Sequence, residues 1–276
     1  MRVGLVQLNV SDDPAANLLQ TKAFIKEAVA GGADIVLTPE CTNALSSNRD
    51  HQRAVFHEED LDPTLSALCA EAREGDVWLL IGSLGIKTKD ADGRFANRSF
   101  LIGPDGTVVA RYDKIHMFDV NVSETEVYRE SAGYRPGGQA VLAQTMLGKI
   151  GMTVCYDLRF PHLYRHLAQS GAQILTVPAA FNHITGAAHW EVLLRARAIE
   201  TGCFVFAPAQ TGFHSERGGP GRRTFGHSLV IAPWGEVIAD GGIEPGVTFA
   251  NIDLDEVAKA RARIPSLQHD RAITGL

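Results

Sequence analysis

Short apolar runs alternate along this chain with longer stretches of helical spacing. Met1-Arg2-Val3-Gly4-Leu5-Val6-Gln7-Leu8 reads as a first strand, because it lacks the long apolar stretch and small-residue cleavage site of a secretory leader. Helices are expected near 14–31, 62–74, 160–170, 187–201 and 253–262. The first should stop at Gly31-Gly32, since glycine accepts the conformation that ends a helix. In Gly151-Met152-Thr153-Val154-Cys155-Tyr156-Asp157-Leu158-Arg159-Phe160-Pro161 an apolar run ends in a cysteine and gives way to polar residues and a helix-starting proline. That pattern puts Cys155 at the C-terminal edge of a buried strand, where open α/β sheets bind ligands.

The pattern occurs twice. Gly32-Ala33-Asp34-Ile35-Val36-Leu37-Thr38-Pro39 resembles Gly171-Ala172-Gln173-Ile174-Leu175-Thr176-Val177-Pro178. The stretch from Ser99 to Ala110 resembles that from Ser228 to Ala239, each with a Pro-x-Gly turn joining two strand-like runs. More weakly, Arg2-Val3-Gly4-Leu5-Val6 resembles Lys149-Ile150-Gly151-Met152-Thr153. Alternating strands and helices with a late hairpin imply a mixed sheet in each half, covered by helices on one face. Two such halves stacked sheet on sheet give an α/β fold, a four-layer αββα sandwich with an internal pseudo-two-fold repeat. One domain is expected over 1–276.

Composition narrows the function classes. The 276 residues are 45% hydrophobic and 21% charged, enough to build a core, and the net charge of −6 argues against nucleic-acid binding, which needs clustered Lys and Arg. No apolar run approaches the ~20 residues of a membrane span. Cys41, Cys69, Cys155 and Cys203 follow neither a disulfide nor a zinc spacing, which suits reduced thiols in the cytoplasm.

Three strand-like runs end in reactive residues: Leu37-Thr38-Pro39-Glu40, Tyr112-Asp113-Lys114-Ile115-His116 and the run ending at Cys155. Through the repeat, Glu40 corresponds to Ala179, Lys114 to Ile243 and Cys155 to Leu8, so the scaffold is double but the reactive set is single. A thiol attacks as thiolate and needs a proton acceptor or a nearby cation. Glu40 suits the first role and Lys114 the second. The Tyr156 N–H, just past the nucleophile, suits a developing oxyanion. No histidine is needed, and the Gly-x-Cys-x-Gly elbow of a Cys-His hydrolase is absent.

In order and spacing, these segments resemble the nitrilase (carbon–nitrogen hydrolase) superfamily and its Glu-Lys-Cys triad, over nearly the whole chain. The resemblance implies the αββα fold and thioester catalysis on a non-peptide C–N bond, without a cofactor or metal. It puts the base at Glu40, the lysine at Lys114, the nucleophile at Cys155 and a second, positioning glutamate at Glu130 in Tyr128-Arg129-Glu130-Ser131. Cys155-Tyr156-Asp157-Leu158-Arg159-Phe160-Pro161 looks like the amidase branch rather than true nitrilases, which carry Cys-Trp-Glu there. His116-Met117-Phe118-Asp119-Val120 and the stretch from His189 to Glu200 are similar to the Nit subgroup. That subgroup implies a small anionic amide as substrate and a homodimer, with the tail from about 253 to 276 at the contact.

Other residues are less telling. Arg159 is expected to hold a substrate carboxylate, with an ion pair to Asp157 or Glu200 as its rival role. At most one of Arg195 and Arg197 should face the site. His162 and His166 share a helix face without the glutamate of a zinc motif. The basic, Gly-rich stretch 217–223 is either a surface loop or a lid that brings cations to the substrate.

Overall fold

Local signals explain most element boundaries in the computed structural model, which describes residues 1–276 except 125, 218, 220, 273 and 276. The helix Pro14–Ala30 begins where Asp13 accepts the N–H groups of Ala15 and Ala16, with proline in the first turn. Asp62 caps Pro63–Glu74 in the same way, accepting the Leu65 N–H at 2.8 Å. Pro161–Gln169 and Asp255–Arg263 lie where the sequence places them. The helix His183–Thr201 starts four residues before the expected 187, because Asn182 caps it through the N–H groups of Ile184 and Thr185. A short helix, Arg49–Val55, escapes the sequence reading: Arg49-Asp50-His51-Gln52-Arg53 has no apolar stripe, and only the Asn48 cap marks it.

The strands form two mixed sheets with one shared plan. In spatial order the first runs Gly246–Asn251, Arg2–Gln7, Ile35–Leu37, Trp78–Lys87, Phe95–Ile102, Val108–Asp113. The second runs Val141–Thr145, Gly148–Met152, Ile174–Thr176, Phe204–Ala207, Leu229–Ile231, Val237–Asp240. In both, the pairings read antiparallel, parallel, parallel, antiparallel, antiparallel. The match extends to an irregularity: the ladder slips between Leu101 and Ile102 in one half and between Val230 and Ile231 in the other. Both hairpin turns close on a glycine with positive φ, Gly106 at 80° and Gly235 at 96°, where a Cβ would be strained.

Side-chain alternation then builds the layers. Ile35 and Leu37 join the cluster that runs across to Ile150, Met152 and Phe206 of the second sheet, while Val36 between them joins Ile25, Leu68 and Ala72 of the covering helices. Helices lie on the outer faces and the sheets face each other, the expected αββα sandwich. Two small hairpins stand apart from both sheets, Asp119–Asn121 with Val127–Arg129 and Thr211–His214 with Arg222–Phe225.

Candidate functional site

A cavity of about 690 Å³ opens between the two small hairpins, and Glu40, Lys114, Glu130 and Cys155 all line it. Glu40 follows the strand Ile35–Leu37, Lys114 follows Val108–Asp113, and Cys155 follows Gly148–Met152. Three strand ends from two sheets thus meet in one place. The Lys114 ammonium, buried with its side chain 2% exposed, donates to Glu40 Oε1 at 2.9 Å and to both oxygens of Glu130 at 3.0 and 2.9 Å. Glu40 Oε2 accepts the Ala180 N–H at 2.8 Å, and the Cys155 thiol lies beside the same carboxylate. Glu130 Oε2 also accepts the Phe118 N–H at 2.6 Å.

One ammonium between two carboxylates fixes the electrostatics. Burial alone would raise Glu40, but the Lys114 charge and hydrogen bond, the thiol and the Ala180 N–H outweigh it and hold the carboxyl below its ordinary range. Burial alone would lower Lys114, but Glu130 and Glu40 outweigh it and hold the ammonium well above its usual value. Cys155 goes the other way. Burial first, then the Glu40 charge, push its thiol well up against the opposing pull of Lys114. Burial above all, and then the adjacent Glu40 carboxylate, therefore favour the protonated thiol over the thiolate in the resting site.

Cys155 takes a positive φ of 50° between its strand and the 3-10 turn Cys155–Arg159. The glycine signature of an elbow is missing from the sequence, yet the backbone makes one. The Cys155 N–H is tied to the Pro178 carbonyl at 2.9 Å, and among the described residues no acceptor takes the Tyr156 N–H. Tyr156 lines the cavity.

Arg159 is not among the lining residues. Its guanidinium lies over the rings of Tyr156 and Phe181, at 5.9 and 5.4 Å, and beside His189, and among the described residues it pairs with neither Asp157 nor Glu200. The lining cations beside Lys114 are Arg49, Arg129, Arg222 and Arg223, none with a carboxylate partner among the described residues. Arg195 and Arg197 both stay outside the cavity; Arg197 instead grips the Leu158 carbonyl at 3.0 and 2.7 Å and braces the turn that carries Cys155. Of the stretch 217–223, Gly218 and Pro220 lie outside the described residues, while Gly221, Arg222 and Arg223 line the cavity. Cys41 lines it too, its thiol pushed up by burial and then by Glu40. His162 and His166 are exposed, and among the described residues no group of three metal-type side chains comes together.

Sequence reasoning missed Asn97. Its Nδ2 donates to Glu40 Oε1 at 2.9 Å and to Glu130 Oε1 at 3.1 Å, and its carbonyl accepts the Lys114 N–H at 3.0 Å. It sits inside the strand Phe95–Ile102, where a buried asparagine within an apolar pattern was the only available signal.

The carbon–nitrogen hydrolase family model matches residues 2–262, so the chain belongs to the carbon–nitrogen hydrolase family. Among its relatives is the deaminated glutathione amidase of Yersinia enterocolitica, 39% identical over 99% of this chain and 94% of that protein. The Homo sapiens Omega-amidase NIT2 is 36% identical over 98% of this chain and 95% of that protein. Among solved structures, the C. elegans NitFhit protein superposes with a TM-score of 0.88 at 34% identity, over 98% of this chain and 65% of that one.

Proposed function

We propose that the protein is an amidase with a Glu-Lys-Cys triad that hydrolyses deaminated glutathione, cleaving the amide between a 2-oxoglutarate-like acyl group and cysteinylglycine. The observation carrying this reading is the cluster of Glu40, Lys114 and Glu130 bonded around the cavity that also exposes Cys155. Cys155 attacks the amide carbon as its proton passes to Glu40, so no free thiolate is needed beforehand. The carbonyl oxygen takes up the negative charge between the Lys114 ammonium and the Tyr156 N–H, donors of a kind worth about 3–4 kcal/mol each. Glu40 returns the proton to the departing nitrogen, leaving a thioester on Cys155. Water then attacks the thioester, Glu40 takes its proton and passes it to the sulfur, and the acid leaves.

Glu130 and Asn97 hold Lys114 and Glu40 in register without reacting. Arg49, Arg129, Arg222 and Arg223, which have no carboxylate partner among the described residues, suit an anionic substrate. The name of the closely similar Yersinia protein favours deaminated glutathione, and that of the human Omega-amidase supports a second reading, 2-oxoglutaramate. A panel of deaminated glutathione, 2-oxoglutaramate, aliphatic amides and nitriles separates them: highest kcat/KM on the first supports the proposal, and turnover of nitriles alone overturns it.

We further propose a cytoplasmic homodimer. Val192, Ile199, Trp234 and Ile264 are large, apolar and exposed on the face formed by the helix His183–Thr201, the second hairpin turn and the tail. A monomeric mass by light scattering at micromolar concentration excludes the dimer.

A further inference from the structure

Asp157 has no part in the chemistry above, yet it is completely buried two residues past Cys155. Its oxygens accept from four donors. Oδ1 takes the His116 main-chain N–H at 3.0 Å and the imidazole Nδ1 at 2.7 Å. Oδ2 takes the Tyr112 hydroxyl at 2.7 Å and the Val154 N–H at 2.9 Å.

The placement of these donors is informative. Tyr112 and His116 bracket Lys114, and Val154 immediately precedes Cys155. One carboxyl therefore joins the end of a strand in the first sheet to the turn after a strand in the second. Burial and then the Asp157 charge push the Tyr112 hydroxyl far up, so it stays a donor. The His116 ring is held from its face by Phe160, stacked at 3.5 Å between centroids. The fold alone does not require this arrangement. Through the repeat that matches Cys155 to Leu8, the counterpart of Asp157 is Val10, an apolar side chain that is 1% exposed. A buried carboxyl is costly unless fully bonded, and valine serves at the matching position of the first half.

We propose that Asp157 is a positioning residue that sets the separation of the Lys114 ammonium and the Cys155 sulfur, a role that rests on the amidase reading. Asp157→Asn keeps the shape but turns an N–H group toward donors. A displacement near 1 Å at a reacting group costs about 100-fold in rate. In Asp157→Asn, kcat per titratable Cys155 should therefore fall by about that factor, with KM within about threefold. Tyr112→Phe, which removes a single donor, should lower kcat about tenfold and should have little further effect in the Asp157→Asn background.

Iodoacetamide alkylation of Cys155, read by mass spectrometry, needs no substrate, and its rate should fall in both variants. If kcat per titrated site and the alkylation rate stay within about twofold of wild type while only the unfolding temperature drops, Asp157 is structural and the proposal is overturned. Should Asp157→Asn fail to fold, Tyr112→Phe decides by the same measures. A wild-type protein that turns over no amide in the panel would sink the amidase reading, while the alkylation rates would still judge the link between Asp157 and Cys155.

Discussion

The two halves of this molecule share strand order, pairing direction and even the position of a ladder slip, yet they contribute opposite parts of the chemistry. The first half brings the carboxylate, amide and ammonium of Glu40, Asn97 and Lys114. The second brings the thiol of Cys155 and the Ala180 N–H that holds Glu40. At the matching positions stand Ala179, Ile243 and Leu8, none of which titrates. The halves also diverge in one stretch of backbone. In the first, the long strands Trp78–Lys87 and Phe95–Ile102 stay in the sheet, with Lys87 paired to Phe95. In the second, the corresponding ladder from Thr211–Phe225 to His214–Arg222 has separated as a hairpin, and it lends Phe213, His214, Arg222 and Arg223 to the cavity wall. Duplication thus explains where strand ends converge. Chemistry arises only where the copies stopped being alike.

The strongest way to break this contrast is to substitute reactive residues and their counterparts in parallel. Cys155→Ala and Glu40→Gln should each lower kcat by about 10⁴-fold or more in steady-state assays of a cleaved amide, as removal of nucleophile or base does in comparable hydrolases. Lys114→Ala should be equally inactive and should also lose about 3–5 kcal/mol in denaturant unfolding, because it strands two carboxylates in a buried site. Ile243→Ala, at the exposed counterpart of Lys114, should leave activity unchanged and stability within about 0.5 kcal/mol. Equal effects at Lys114 and Ile243 would erase the asymmetry.

A smaller loss is expected one step away from the chemistry. Asn97→Ala removes the amide shared by Glu40 and Glu130, and kcat should fall by about 10–100-fold with KM nearly constant. Asn97 also marks the limit of sequence legibility. The repeat, the hairpin turns and the three reactive residues at strand ends follow from short-range patterns, so they can be read along the chain. Asn97 and Asp157 act through contacts 57 and 45 residues away, to Glu40 and Tyr112, and no local pattern encodes such distances. Arg159 shows the same limit: its position four residues past the nucleophile was legible, but its packing over Tyr156 and Phe181 was not. The role of the 211–225 hairpin was hidden because its loss from the sheet is a tertiary event.

The seam between the halves can be tested through a single glycine. A Cβ on Gly82 would lie 2.2 Å from the Thr38 carbonyl oxygen and 2.5 Å from both the Pro39 carbonyl carbon and the Pro178 ring. Pro39 and Pro178 are matched positions of the repeat. One precedes Glu40, and the carbonyl of the other holds the Cys155 N–H. Gly82→Ala must push these segments apart, at a cost of about 1–3 kcal/mol for overpacking, and should also lower kcat by shifting base and nucleophile together. Gly138→Ala, where a Cβ meets nothing within 4 Å, is the control and should be neutral in both thermal unfolding and turnover.

The smallest effect concerns pH, and it sharpens how the halves cooperate. Glu40 is held below the ordinary carboxylate range, so it remains a base as pH falls through that range and loses this capacity only below it. Lys114 is held above its usual value, so its ammonium persists as pH rises through the range where exposed lysines lose their proton. Cys155 is raised as well, so no thiolate accumulates on the alkaline side of neutrality. With the base charged, the cation charged and the thiol protonated throughout, kcat/KM should vary by less than about threefold between pH 6 and pH 9. A thiolate formed before attack, from a thiol of ordinary pKa near ~8.5, would instead raise the rate about tenfold per pH unit until that value is passed. A profile of that second kind would mean that the thiol ionises before attack, without handing its proton to Glu40 in the attacking step. Glu40 would then no longer be its proton acceptor, and the division of labour between the halves would have to be redrawn.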